Sequence, residues 1–422
     1  MLIFAYNFIW SLLSPLIPIW LTYRIYKDFE NKKRIFERYG VSRIERPKGK
    51  LIWVHASSLG ESVSASAMAI GLREKGFKGT ILITSGTTSS YELLKHNEDI
   101  IHQFHPYDKK NWVEKFLNHW KPCLAIMMES EIWPNFIICS HNFNIPIMMA
   151  SAQISQTSYL KWKQLLGRKT KVIFSKFSLI LCYDEEQKNK FERLGAKNVQ
   201  IGGNLKTAMP PPKINRELIN KIKKAASGKN IILLASSHAG EEKILLESIE
   251  ILESKGFETF FIIAPRKISR GQNIIHKYNI NAKLISKNEE LKTEDKVLVF
   301  DKFGEMASLY SVSNIVFVAG SLFPLGGHNP SEPCHFKTNI IIGPHVSKCK
   351  ETVEEMNKNN AIIKIKESDN YPQEIADVFY KLLKEEKFSK SLSNSSFKMS
   401  TNWAKRRAQS AEKCLDFLGK RS

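Results

Sequence analysis

At 422 residues, 43% hydrophobic and 25% charged, the chain is too apolar for a disordered polymer and long enough for two hydrophobic cores. Lysine and arginine total 63 against 42 acidic residues, a formal charge of +21; so large an excess implies an anionic partner, whether nucleic acid, an acidic membrane or a phosphorylated substrate. The six cysteines stand singly, without CxxC or zinc-finger spacing, which points away from a disulfide framework or structural metal and fits a reducing compartment.

Residues 1–23 carry no charged side chain and are rich in Ile, Leu, Phe and Trp. As a helix they would extend roughly 35 Å, enough for the apolar thickness of a bilayer. The basic residues follow this stretch instead of preceding it, the wrong polarity for a cleaved signal peptide. A membrane anchor is expected. Pro15 and Pro18 bend any helix there, so it either spans or lies in one leaflet. Residues 24–49 form a basic juxtamembrane segment; from Arg24 to Lys50 there are ten basic and four acidic side chains. In a spanning segment, Arg24, Lys27, Lys32, Lys33, Arg34 and Arg38 would hold the rest of the chain on the cytoplasmic side.

Short apolar runs then alternate with helical stretches, the pattern of parallel-sheet α/β domains. Strands are expected at 51–55, 80–84, 101–105, 124–128, 145–150, 179–183 and 199–202, which make an N-terminal α/β domain of residues 50–209. Pro210, Pro211 and Pro212 form a stiff linker that no helix or strand interior tolerates. A second set of strands is expected at 231–235, 259–264, 282–285, 296–300, 315–319, 339–342 and 361–365, within a C-terminal α/β domain of residues 213–422 that ends in helices. The fold class is therefore α/β, with two doubly wound Rossmann-like domains facing a cleft where ligands meet the carboxyl ends of the strands.

The residues with chemical potential fall after strands. His55-Ala56-Ser57-Ser58-Leu59-Gly60-Glu61 ends the first strand and opens a helix, with Glu61 in its first turn. A carboxylate there could face a ligand, although it is also an ordinary partner for the helix dipole. Glu129-Ser130-Glu131 follows the fourth strand and could hold a polyol or a cation. His102 and His105 would face opposite sides of a strand, which disfavours a metal pair. In the second domain, Ser236-Ser237-His238 leads into a helix whose first amides offer an anion site, and Arg266 sits where it could meet a phosphate. The densest stretch runs from Gly320 and Ser321 through Gly326 and Gly327 to Asn329 and Glu332. Its glycines would let amides approach a phosphate, and Glu332 would accept two ribose hydroxyls. No Walker, GxGxxG, HExxH, GxSxG or DxD pattern occurs, so no metal or other cofactor is expected.

HASSLGES, MESEIWPN, GNLK, ASSHAGEE, APRK, DKFGEM, GGHNPSEP and IIGPH occur in this order over nearly 300 residues. Together they resemble the 3-deoxy-D-manno-octulosonic acid (Kdo) transferases. The resemblance implies a GT-B fold, CMP-Kdo as donor, and inverting transfer to a lipid A precursor at the inner face of an anionic cytoplasmic membrane. It makes Glu61 the general base and places Lys206, Ser237, His238, Arg266, Gly320, Ser321, Asn329 and Glu332 around the donor. Ser58, Gly60, Glu129 and Glu131 fall on the acceptor side. Gln153 stands where the family often carries Arg, Ala208 where an acidic residue is common, and Lys267 where His is frequent; these departures bear on the acceptor. A UDP-sugar donor would suit the glycine-rich loop and Glu332 equally. A basic nucleic-acid binder is the remaining alternative, and the chain shows no recognition module for it.

Overall fold

The computed structural model describes residues 2–419 and divides into two compact units, Met1–Met209 with the chain from Trp403 onward, and Pro210–Asn402. The first unit contains β1 (Leu51–His55), β2 (Thr80–Ser85), β3 (Ile101–Phe104), β4 (Leu124–Met128), β5 (Ile147–Ala152), β6 (Phe177–Cys182) and β7 (Val199–Ile201). All are parallel, in the order β3-β2-β1-β4-β5-β6-β7. Residues 51–55 and 124–128 are buried throughout, because helices cover both faces of the sheet; this is why each strand reads as an unbroken apolar run. Trp53, Phe116, Trp120 and Phe136 fill one side of this core.

The second unit repeats the plan with β8 (Asn230–Ser237), β9 (Thr259–Pro265), β10 (Ala282–Leu284), β11 (Val297–Val299), β12 (Ile315–Val318), β13 (Asn339–Ile342) and β14 (Ile363–Lys364). Its order is β10-β11-β9-β8-β12-β13-β14, again parallel. Winding reverses between β1 and β4 in one sheet and between β8 and β12 in the other. Ligands of open parallel sheets bind beyond the carboxyl ends of the strands at such points.

The expected C-terminal boundary needs correction. The helix Glu386–Gly419 begins in the second unit, but from Trp403 onward it belongs to the first. Trp403, Arg407, Ala411 and Cys414, three and four residues apart, form one buried face. Arg407 bonds Glu74 at 2.6 Å and the carbonyl of Ala208. Gly71 lets this helix approach, since a Cβ there would lie 2.9 Å from Arg407 Cγ. Residues 213–422 are thus not one domain.

The N-terminal stretch forms helices Leu2–Leu13 and Ile17–Tyr26 around a 3₁₀ turn at Ser14–Leu16. Ile3–Tyr26 is long and apolar enough to cross a membrane. It is also docked: Tyr6 donates to Asp108 Oδ2 at 2.8 Å, Asn135 to Asn7 at 2.8 Å and Lys109 to Ser14 at 2.8 Å. Trp10 lies against Tyr107 and Trp112. Phe4, Phe8, Leu12, Ile19 and Tyr26 are left exposed.

The basic segment after it is folded, not a free positive arm. Arg24 and Arg38 pair with buried Glu30 at 3.0 Å, and Arg34 pairs with Glu37 at 2.7 Å. Lys27, Lys32 and Lys33 remain exposed.

Candidate functional site

At the first switch point β1 runs into the helix Leu59–Glu74 through a reciprocal cap. Ser58 Oγ accepts from the Glu61 amide at 3.3 Å, while Glu61 Oε2 accepts from the Ser57 and Ser58 amides at 2.6 and 3.0 Å. The helix-start role of Glu61 is therefore real. Its surroundings add something a cap does not need. Burial, then the nearby charge of Glu131 and, more weakly, Glu129, outweigh these two amides and push the Glu61 carboxyl up to about 7.

Glu131 follows β4 and receives His55 Nε2 at 3.2 Å and Trp133 Nε1 at 2.5 Å. Burial alone would raise it, but the hydrogen bond and charge of His55, with Trp133 and Ser57, hold it down to about 2. Two neighbouring carboxyls are thus driven apart, one fixed as an anion and one poised near neutrality, the arrangement that separates acid–base roles.

Glu129 stands beside them in the left-handed region, with φ 52. Lys206 Nζ bonds its Oε2 at 2.7 Å, Gln153 Nε2 bonds the same oxygen at 2.9 Å, and Ser64 bonds Oε1 at 2.9 Å. Gly60 makes room for the lysine, since a Cβ there would lie 3.3 Å from Lys206 Cε. The structure thus brings Ser58, Gly60, Glu61, Glu129 and Glu131 together. It places Lys206, expected near the donor, with these residues of the first unit. The Gln153 amide occupies a position where an arginine would bring a second cation to Glu129.

Behind Glu131, the loop 129–136 is tied down by a group that the motifs did not reveal. Asp108, buried, accepts from the Asn135 and Phe136 amides at 3.0 and 2.8 Å as well as from Tyr6. Burial exceeds these hydrogen bonds and raises its carboxyl to about 7. His102 is absorbed by Ser85 at 2.8 Å and by Arg34 at 3.2 Å, and His105 packs on His55. No group of three or more potential metal ligands occurs among the described residues.

At the second switch point the same turn recurs with other partners. Glu241, fully buried, accepts from the amides of His238 and Gly320 at 3.0 and 2.8 Å and from those of Ser321 and Leu322 at 3.0 and 3.1 Å. The glycine-loop amides expected to meet a phosphate are therefore occupied by this internal carboxylate. Ser321 Oγ donates to Val318 O at 2.7 Å and accepts from the Gly343 amide at 2.8 Å. Ser237 Oγ donates to Glu242, which also pairs with Arg270 at 2.8 Å. Gly320, Ser321 and Ser237 thus frame the loop and do not line the cavity.

That cavity, about 400 Å³, is lined by Arg266, His328, Asn329 and Glu332, with Ser236, Lys302, Phe303, Met306, Ala307 and Tyr310. Glu332 keeps an exposed edge on the opening, while the protein packed around it raises its carboxyl. Asn329 is fixed by accepting from the Ser331 amide at 3.1 Å. Arg266, Asn329 and Glu332 stand together as expected. Ser236, not Ser237, faces the cavity, because the bulge between Ala235 and Ser237, with Ser236 at φ 60, turns its side chain. Phe303 is 88% exposed at the rim. An aromatic residue beside a glycine in DKFGEM was the available signal for this wall.

Two Rossmann-like sheets, each with polar groups gathered at its switch point, define a protein of the GT-B class. The fold is shared with solved structures of a UDP-GlcNAc 2-epimerase from Neisseria meningitidis (TM-score 0.54, 12% identity, 87% of this chain and 99% of that one) and a glycosyltransferase from Rickettsia africae (TM-score 0.54, 13% identity, 89% and 100%). A family model described as 3-deoxy-D-manno-octulosonic-acid transferase (kdotransferase) matches residues 33–209. Over 369 residues, 86% of this chain and 88% of the relative, the sequence is 31% identical to the 3-deoxy-D-manno-octulosonic acid transferase of Rickettsia bellii. It is 33% identical over 362 residues to a probable mitochondrial 3-deoxy-D-manno-octulosonic acid transferase of Arabidopsis thaliana, covering 83% and 81% of the two chains. The chain belongs to the 3-deoxy-D-manno-octulosonic acid transferase family of glycosyltransferases.

Proposed function

We propose that the enzyme transfers Kdo from CMP-Kdo to a lipid A precursor, with inversion, at the cytoplasmic face of the inner membrane. The observation that supports base-assisted transfer within this family is Glu61, a buried carboxyl held by the Ser57 and Ser58 amides at the end of β1, which burial and neighbouring Glu131 bring to about 7. A sugar hydroxyl is a poor nucleophile, and a base near the operating pH removes its proton most effectively. The acceptor oxygen attacks the anomeric carbon of Kdo, the bond from that carbon to the CMP phosphate breaks, and its electron pair leaves on the phosphate. The hydroxyl proton passes to Glu61. One displacement with no covalent intermediate inverts the anomeric centre.

In the second unit, Arg266 would neutralise the leaving phosphate and Glu332 would accept the ribose hydroxyls, with Phe303 and Met306 beside the base. The docked apolar helices, together with Lys27, Lys32 and Lys33, would hold the first unit at an anionic bilayer. The decisive experiment is incubation with CMP-Kdo and a tetraacylated lipid A precursor, followed by mass spectrometry of the lipid. A mass increase of one or more Kdo residues is expected; an unchanged lipid with consumed donor would move the acceptor elsewhere. Arg266→Ala and Glu332→Ala should each weaken CMP binding by about 1–3 kcal/mol, as lost charged hydrogen bonds do.

A further inference from the structure

His238 follows β8 and His328 lies in the glycine-rich loop after β12, yet their Nε2 atoms are 2.9 Å apart and the ring planes only 14° from parallel. Two imidazole nitrogens at that distance share one proton. The pair can therefore be neutral or carry a single positive charge; a second proton between the rings would break the contact. Neutral, it presents one outward Nδ1–H. Singly protonated, it presents two.

Gly320 makes this approach possible. At φ 70, a Cβ there would lie 3.0 Å from His328 Cδ2 and 3.5 Å from His238 Cδ2. Glu241 Oε2 accepts the amides of both His238 and Gly320, so the two rings sit on one anchored frame. His328 lines the cavity with Arg266, Asn329 and Glu332. The charges around the pair are Arg266 and Lys348 on the cationic side, Lys302 across the cavity, and the carboxylates Glu241 and Glu332. Burial, followed by His238, Arg266 and Lys348, holds His328 down to about 4, so its ring is neutral near pH 7.

We infer that the His238–His328 pair binds the anionic group of the donor and takes up one proton as it does so. This rests on the donor reading of the cavity. An anion arriving beside Arg266 and Lys348 offsets the cationic charge that adds to burial in holding His328 down, and a second outward N–H then becomes worth its protonation. A phosphate and a sugar carboxylate share this chemistry, and the ligands tested separate them.

The test is calorimetry of CMP binding to the full chain at pH 7.0 and 7.5, in buffers of different ionisation enthalpy, with cytidine, and CMP plus free Kdo, as further arms. The wild type should take up a substantial fraction of a proton per CMP and none with cytidine. Uptake seen only when Kdo accompanies CMP also supports the pair and assigns it the carboxylate. His328→Asn, which hydrogen-bonds but does not protonate, should lose the uptake and bind roughly tenfold more weakly, a charged hydrogen bond becoming a neutral one. Its melting temperature and the ¹⁵N histidine shifts of the wild type, which report ring charge directly, separate this from misfolding. CMP binding by the wild type without proton uptake in any arm overturns the inference alone, as does uptake that persists in His328→Asn. Absence of CMP binding at every pH overturns the donor reading and the inference with it.

Discussion

The two switch points carry nearly the same words, Ala-Ser-Ser-Leu-Gly-Glu at 56–61 and Ala-Ser-Ser-His-Ala-Gly-Glu at 235–241, and put the final glutamate to opposite uses. Glu61 receives two amides of its own turn, is buried and faces other carboxylates, and burial with those charges leaves it near 7. Glu241 receives four amides, three of them from the glycine-rich loop of a neighbouring strand. One turn keeps a proton-accepting group in reserve; the other spends its carboxylate on architecture. A glutamate after a glycine at a strand end is thus not a function in itself. The number of amides that converge on it, and the sign of the charges beside it, decide what it does.

The largest effect should come from the reserve group. Glu61→Gln keeps size and one hydrogen-bond acceptor but removes the proposed base, so transfer should fall by roughly 10²–10⁴-fold with CMP affinity unchanged. A variant that transfers Kdo at near the wild-type rate would move the base to Glu129 or Glu131 and break the contrast. Glu241→Gln should give the complementary result. Its amide nitrogen would turn toward backbone N–H groups and leave two of them unpaired, costing about 2–4 kcal/mol of stability in the second unit. Donor affinity should fall with it, because the loop carrying Asn329 and Glu332 loosens. A Glu241→Gln protein of normal melting temperature would show the four-amide cradle to be dispensable.

A smaller effect concerns pH. In the folded protein Glu61 titrates near 7 and in the unfolded chain near 4.5. Between those values the folded state binds more protons, so the stability Glu61 contributes is complete below about 4.5 and is lost as pH rises through 7. Denaturant unfolding from pH 5 to 8 should therefore show the wild type falling relative to Glu61→Gln by roughly 1–3 kcal/mol. A difference independent of pH would mean that neither burial nor Glu131 raises the Glu61 carboxyl.

Much of this was legible in the sequence. All fourteen strands were expected within a few residues, because parallel strands buried on both faces must be unbroken apolar runs, and both switch points announced themselves as motifs after strands. What a linear reading misses is which polar atom is already taken. Ser237 and Ser321 look like ligand-binding hydroxyls, yet each is consumed internally, and a one-residue bulge hands the cavity to Ser236. Lys206 looked like a donor contact and bonds Glu129. The return of the last helix to the first unit rests on a buried face at Trp403, Arg407 and Ala411, which is helical in period but silent about its partner.

The smallest expected effect tests a feature of the first switch point, its tie to the apolar N-terminal helices. Before His55 no residue belongs to a chemical motif, so the segment looks separable from the site. In the structure it is joined to the loop after β4 through Asp108, which takes Tyr6 on one side and the Asn135 and Phe136 amides on the other, while Asn135 also reaches Asn7. Tyr6→Phe removes one hydrogen bond to a buried carboxyl that keeps its two amides, so the cost should be about 1 kcal/mol, read as a slightly lower melting temperature. Transfer to detergent-dispersed acceptor should change less than threefold, since Glu61 and Glu131 keep their own partners. A chain starting at Phe29 loses all these ties together with the packing of Trp10 on Tyr107 and Trp112, and should lose several degrees of stability. If that truncated chain melts like the whole protein, the helices rest on the first unit without supporting it. If Tyr6→Phe alone abolishes transfer while the fold stays intact, the tie reaches the chemistry, and the first switch point extends to the apolar N-terminal helices themselves.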